Sequence, residues 1–347
     1  MGRSYCQKKS LVETKAWAAS SDLQFTLPNE GAITRIVIYY ALTVTACLAA
    51  DTNTEFAAYK AIQNLKVEGS LGTYVGASGE QMGRLLHFIN QKDFPGRQFH
   101  KAMATNTIYG CIVLHFGSHL RDAYGRDNPF DLSAFIPARN EAANGLKLTI
   151  STTQAADICD TAIDISAGTF YVDVYQVLGL DNMKGYMPFS SSELYPHSGN
   201  KSDLQDQHTV PTGLLLRRIA LLSQDDTAIA SGGPLLASDE IAKVGLLVTK
   251  EGDKRFIESN WDALIQEAGI PRVAAMTAAG AVTKPADLVN AGFVLLDLRP
   301  YGDADYGLDL RTPVQSGDVK LGLTIQNYAA GDDTIIYYDG VKPYAGR

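Results

Sequence analysis

Apolar and polar residues alternate along much of this chain, with Gly, Pro, Asn and Asp breaking the alternation at short intervals. That pattern predicts many short β-strands. From Leu23, LQFTLP and then AITRIVIYYALTVTACLA read as strands, and AIQNLKVEGSLGTYVG as two more around Gly69. In SGEQMGRLLHFINQ the period changes. Met82, Leu85, Leu86 and Ile89 fall at i, i+3, i+4 and i+7 behind Ser78 as N-cap, which predicts a helix of about three turns. TIYGCIVLHFG is strand and DNPFDLSAFIPARNEAANG mostly loop. LKLTIST and TFYVDVYQVLGL are strands, the second setting Tyr171, Asp173 and Tyr175 against Val172 and Val174. Residues 179–212 hold few aliphatics and many Gly, Pro, Ser and Asp, and read as a linker. Strands then resume in GLLLRRIALLS, IAKVGLLVTKEGDKRFI, AGFVLLDLRP, LDLRTPVQSGDVKLGLTIQ and DTIIYYDGVKP, with a short helix at SNWDALIQEAG.

The two halves repeat each other at a lag of roughly half the chain, the mark of duplicated domains and not of a solenoid. The Gly79–Gln91 helix matches Ser259–Ala268, strand Thr107–Phe116 matches Ala291–Arg299, and Leu146–Ile150 matches Leu321–Ile325. The aromatic closing strand Phe170–Tyr175 matches Ile335–Asp339. Each half offers about eight strands with one short inserted helix, the size of a jelly roll. The expected fold is therefore mainly β: two tandem eight-stranded jelly rolls. The expected divisions are an arm at 1–19, a first roll at 20–180, a linker at 181–208 and a second roll at 209–347.

At 347 residues the chain exceeds the size of most single cores, which agrees with two domains. It is 46% hydrophobic and 20% charged with a net charge of −8, which argues against disorder and against a surface that grips nucleic acid throughout. Cys6, Cys47, Cys111 and Cys159 are too scattered for a metal or redox motif and read as buried small hydrophobes. The N-terminus has neither the apolar region of a signal peptide nor the full myristoylation pattern.

Catalytic signatures are scarce. No phosphate-cradling or nucleophile-elbow motif is present, and the dense glycines from Gly69 to Gly83 form no dinucleotide fingerprint. His115 and His119 continue a strand into a loop, where residues four apart lie ~13 Å from end to end, too far for one metal. His87, His100, His197 and His208 are scattered. The Asp303–Asp305 and Asp332–Asp333 clusters read as turn chemistry. No catalytic residue, cofactor or metal is expected.

Charge is uneven, however. Arg3, Lys8, Lys9 and Lys15 face only Glu13 in the first fifteen residues, leaving 26 basic and 37 acidic residues for the remainder. A basic arm before an acidic body suits contact with phosphates of lipid or nucleic acid.

Two tandem rolls without catalytic residues resemble the double jelly-roll major capsid proteins of tailless icosahedral viruses. AITRIVIYYALTVT with AIQNLKVEGSLGTYV is similar to the early strands of that family's first roll, and SGEQMGRLLHFIN sits where the family inserts a helix. PFDLSAFIPARNEAANGLKLTIS resembles the following loop and strand, and PTGLLLRRIALL the opening of the second roll. The resemblance implies a structural protein of the virion shell, assembled in the host cytoplasm as pseudo-hexameric homotrimers. Implied partners are neighbouring capsomers, penton and minor capsid proteins, and an internal membrane or the genome, met through the arm. The other classes open at this point are a two-domain carbohydrate- or receptor-binding sandwich and a jelly-roll hydrolase.

Overall fold

The computed structural model describes residues 6–47, 57–90, 103–117, 128–154, 164–179, 184–225, 236–237, 240–249, 252, 254–264, 292–299, 307–311 and 314–345. The first sandwich has two four-stranded sheets. One runs β1 (Cys6–Ala16), β8 (Asp164–Leu178), β3 (Ala32–Cys47), β6 (Met103–His115). The other runs β2 (Asp22–Thr26), β7 (Lys147–Thr152), β4 (Ile62–Gly69), β5 (Gly72–Ala77). Helices α1 (Ala57–Lys60) and α2 (Gly79–Asn90) flank β4 and β5.

The second sandwich repeats this plan. Its larger sheet joins β9 (Lys184–Pro196), β18 (Asp333–Ala345) and β11 (Leu215–Asp225), with β12 (Leu236–Ala237), β15 (Phe293–Asp297) and β16 (Leu308–Asp309) also paired to β11. Facing it are β10 (Lys201–Thr209), β17 (Val319–Ile325), β13 (Ile241–Val248) and β14 (Lys254–Asn260). First strand beside last, second beside seventh, is the jelly-roll order, and both halves have it. The expected tandem jelly rolls are thus present. The repeat pairs fall on equivalent strands: β6 with β15, β7 with β17, β8 with β18.

The alternation is physical. Along β3, Ile36, Ile38, Tyr40, Leu42 and Val44 are buried, while Val37, Tyr39, Ala41 and Thr43 face outward. Tyr40 lies opposite Phe170 in the ladder with ring centroids 5.0 Å apart, one of the aromatic cross-strand pairs that pin register. Ser78 caps α2 reciprocally: the Gln81 amide donates to Ser78 Oγ at 3.1 Å, and the Ser78 amide to Gln81 Oε1 at 3.2 Å.

Several expectations need correction. Residues 6–16 of the supposed arm are β1, an edge strand paired to β8 from Cys6 opposite Leu178 to Ala16 opposite Thr169. An edge strand with one face to solvent is held largely by its main-chain ladder, so it needs few apolar residues. The supposed linker 181–208 is mostly β9 and β10 for the same reason: β9 also lies at a sheet edge, with thirteen ladder partners on β18. Of the expected second helix, one turn from Trp261 to Leu264 is present, and the rest of the expected span lies outside the described residues. Cys6 is exposed and Cys111 half-buried, because neither lies on an inward face.

Candidate functional site

The two sandwiches meet along one apolar seam. Strand β11 is buried on both faces: Ile219 and Leu221 join the second core, whereas Ala220 and Leu222 join the first. Phe293, Leu295 and Tyr337 do likewise from β15 and β18. These residues pack on the β5 and α2 side of the first sandwich, where Tyr74, Val75, Met82 and Leu85 belong to the same core. Polar contacts stitch the seam: Gln81 Nε2 donates to the Ile335 carbonyl and the Gly76 amide to Ser190 Oγ, each at 3.3 Å. The contact is head-to-tail, since the outer face of one roll's larger sheet covers a different surface of the other roll.

One copy of each surface is therefore left over. The outer face of β1-β8-β3-β6 carries Tyr39, Tyr109 and Tyr171, exposed by 39, 43 and 38%. Tyr39 lies 6.4 Å from Tyr109 and 5.9 Å from Tyr171 between ring centroids, and Leu11 on β1 is 57% exposed. On the second sandwich, β14 presents Phe256 at 61% exposure beside the Trp261 turn, the counterpart of the β5 and α2 surface. The first sandwich thus carries an exposed aromatic patch, and the second an exposed Phe256, at the position its partner uses in the seam.

A cavity of about 60 Å³ with a mainly apolar wall opens in the seam, its polar lining supplied by Arg217, Arg218, Asp339, His115 and Tyr337 among others. Arg217 Nη2 lies 2.9 Å from Asp339 Oδ1, and Arg218 Nη1 3.4 Å from Asp339 Oδ2. Sequence reading passed these residues by. Their signal was a charged pair inside the apolar run GLLLRRIALL, where both parities of the strand are buried.

A second polar cluster lies within the second sandwich. His197 Nδ1 is 3.1 Å from Asp206 Oδ2, and its Nε2 is 2.8 Å from Thr334 Oγ1 and 3.2 Å from Glu240 Oε1. His208 Nε2 is 3.4 Å from the same Asp206 oxygen, and the Tyr195 ring lies 4.1 Å from the His208 ring. The scattered histidines 197 and 208 therefore converge. The His197 hydrogen bond, with the His208 ring close by, holds the Asp206 carboxyl well below its usual range. Burial, then the nearby Asp332 charge, pushes Glu240 up to about 8. Hydroxyl, imidazole and carboxylate stand in the order of a nucleophilic triad. Thr334 is fully buried, however, in a strand paired on both sides, so no substrate carbonyl reaches it. The cluster's work is structural: it ties the β9–β10 turn to β18.

Of the basic residues singled out, Arg3 lies outside the described residues. Lys8 is exposed on β1. Lys9 Nζ sits 2.9 Å from Asp173 Oδ2, and Lys15 Nζ 3.3 Å from Glu13 Oε1. Lys15 also stands 5.5 Å from the Phe25 ring centre. His119 and Asp303–Asp305 lie outside the described residues too. Asp332 accepts the Ala329 amide at 2.8 Å, as its turn reading expects.

No protein-family model and no curated protein matches this sequence. Solved structures do match. A chain of the atomic structure of Sulfolobus Turreted Icosahedral Virus superposes with a TM-score of 0.71 at 15% identity, over 97% of this chain and 90% of that one. The PBCV-1 virus capsid gives 0.57 at 11%, over 98% and 94%. The major capsid protein P2 of bacteriophage PM2 gives 0.53 at 9%, over 99% and 100%. The fold is the double jelly roll of viral major capsid proteins.

Proposed function

We propose that this protein is a viral major capsid protein that assembles as a homotrimer of six similar rolls. The observation that carries this reading is the head-to-tail seam, with one unmatched copy of each of its surfaces at the two ends of the chain. Head-to-tail contacts close into rings when the rotation allows. If the Tyr39–Tyr109–Tyr171 face of one copy covers the Phe256 side of the next, three chains give six quasi-equivalent seams. Such a unit tiles a shell with large, flat, repeated contacts and has no need of a catalytic cleft. The same reading places the protein in the virion, among penton and minor capsid proteins. It gives Arg3, Lys8, Lys9 and Lys15 an electrostatic contact with lipid or genome phosphates at the inner face, Lys8 being exposed on β1 while Lys9 and Lys15 stand in ion pairs.

Exposed tyrosines are also what a carbohydrate-binding sandwich would use as stacking platforms, and this is the second reading. Electron microscopy of the purified full chain separates the two. Hexagonal capsomers or closed shells support assembly, whereas single sandwich pairs that bind glycans through Tyr39 support the lectin-like alternative.

A further inference from the structure

Among the described residues, the seam cavity is lined by two arginines and one carboxylate. Arg217 and Arg218 are each only 3% exposed and share a single buried carboxylate, Asp339. Arg217 Nη1 also donates to the Phe116 carbonyl at 3.4 Å. Asp297 stands 3.8 Å from Arg218 Nε, beyond hydrogen-bond reach, and is already held by Arg299 at 2.6 Å. Among the described residues, Arg217 and Arg218 thus share the one full hydrogen-bonding carboxylate of Asp339. Among the described residues, Arg217 Nε, Arg218 Nε and Arg218 Nη2 are buried without a hydrogen-bond acceptor. Buried N–H groups of a charged side chain are costly to leave without an acceptor. Burial, only partly offset by Asp339, lowers the Arg218 pKa to about 10.

Both arginines line the same cavity, with these donors just beneath its wall. Its volume of about 60 Å³ exceeds the roughly 10–15 Å³ that one water requires, so it admits a small polyatomic group. Guanidinium forks match the oxygens of a phosphate or carboxylate two at a time. Tyr337 and Ser190 line the cavity and add hydroxyl groups. Val75, Met82, Leu85 and Phe116 close the remaining wall and keep the dielectric low, which strengthens each contact.

We propose that the cavity between the two rolls is an oxyanion site, in which Arg217 and Arg218 bind one free phosphate-class anion that cements the seam. The anion supplies the acceptors that Asp339 alone does not. Because it joins strands of the second roll to β5, β6 and α2 of the first, its binding stabilises the pairing of the rolls.

The test uses the full chain and inorganic phosphate. Isothermal titration at fixed ionic strength should give one saturable phosphate site per chain. Thermal unfolding should shift upward with the logarithm of phosphate concentration above Kd; at a hundredfold excess over Kd the folding equilibrium rises about a hundredfold. Phosphate also stabilises proteins generally by exclusion, but that effect grows with bulk concentration and is common to all variants. Arg218→Met, which keeps the apolar stem, should abolish both the heat of binding and the logarithmic shift. Arg255→Met, in an exposed ion pair on β14, should leave both intact. Failure of the wild-type chain to bind phosphate saturably, with unfolding that tracks ionic strength alone, overturns the proposal. So does an Arg218→Met chain that binds as the wild type does.

Discussion

Lys9 on β1 holds its ammonium 2.9 Å from the Asp173 carboxylate on β8, so the basic N-terminal segment is stitched into the sheet it was expected to precede. The ion pair is exposed and worth less than ~1 kcal/mol. The ladder around it matters more, together with Val12, half-buried against the first core. Removing residues 1–16 should cost roughly 2 kcal/mol or more, since a half-buried side chain and a strand's hydrogen bonds are lost together. Differential scanning calorimetry should show a melting temperature lower by several degrees. An unchanged melting temperature would show that β1 contributes nothing.

Gly110 on β6 lies opposite Tyr40 on β3, and the buried Tyr40 ring occupies the space where a Cβ on residue 110 would sit. Gly110→Ala should therefore overpack the first core and destabilise the protein by roughly 1–3 kcal/mol in urea titration. Ala at Gly72, where a Cβ meets nothing within 4 Å, distinguishes the two effects, because its φ of +124° charges only a backbone cost.

Glu240 gives the second roll a pH dependence. Its carboxyl has an ordinary value of 4.5 and is pushed up to about 8 in the fold, chiefly by burial. Between these values the folded state binds more protons than the unfolded one, so stability falls as pH rises from about 4.5 to 8. Glu240→Gln keeps a hydrogen-bonding group toward His197 and removes the charge, and should flatten that slope in denaturant midpoints measured at pH 5 and pH 8. An identical slope in both proteins would contradict this origin.

Tyr39 lies on the outward face of β3, so Tyr39→Glu should leave folding within about 0.5 kcal/mol of the parent, as surface changes usually do. It places charge at the centre of the aromatic patch and should abolish association of chains. Sedimentation velocity reads both species, and an associated Tyr39→Glu chain would remove this face from the interface.

The legible part of the fold was the part in which burial on one face imposes alternation. Ile36 to Val44 and Phe170 to Val174 announce themselves, as does the Met82–Leu85 stripe of α2. Strands β1, β9 and β10 were illegible, because ladder bonds at the sheet edges hold them without a recurring apolar face. Residues such as Lys8, Ser191 and Asp203 resemble loop or arm when read singly. The doubly buried β11 was visible as an apolar run broken only by Arg217 and Arg218, yet only the seam explains why Ala220 and Leu222 face one core while Ile219 and Leu221 face another. The His197 cluster had no local signal. Asp206 and His208 come from a neighbouring strand, and Glu240 and Thr334 from far along the chain; topology alone assembles them.

Native mass spectrometry of the full-length protein at micromolar concentration tests the assembly most directly. The expected result is one dominant species of three times 37.4 kDa, lost in Tyr39→Glu. A wild-type chain that remains a stable 37.4 kDa monomer, with no shells in the same preparation, would contradict a capsid-building role.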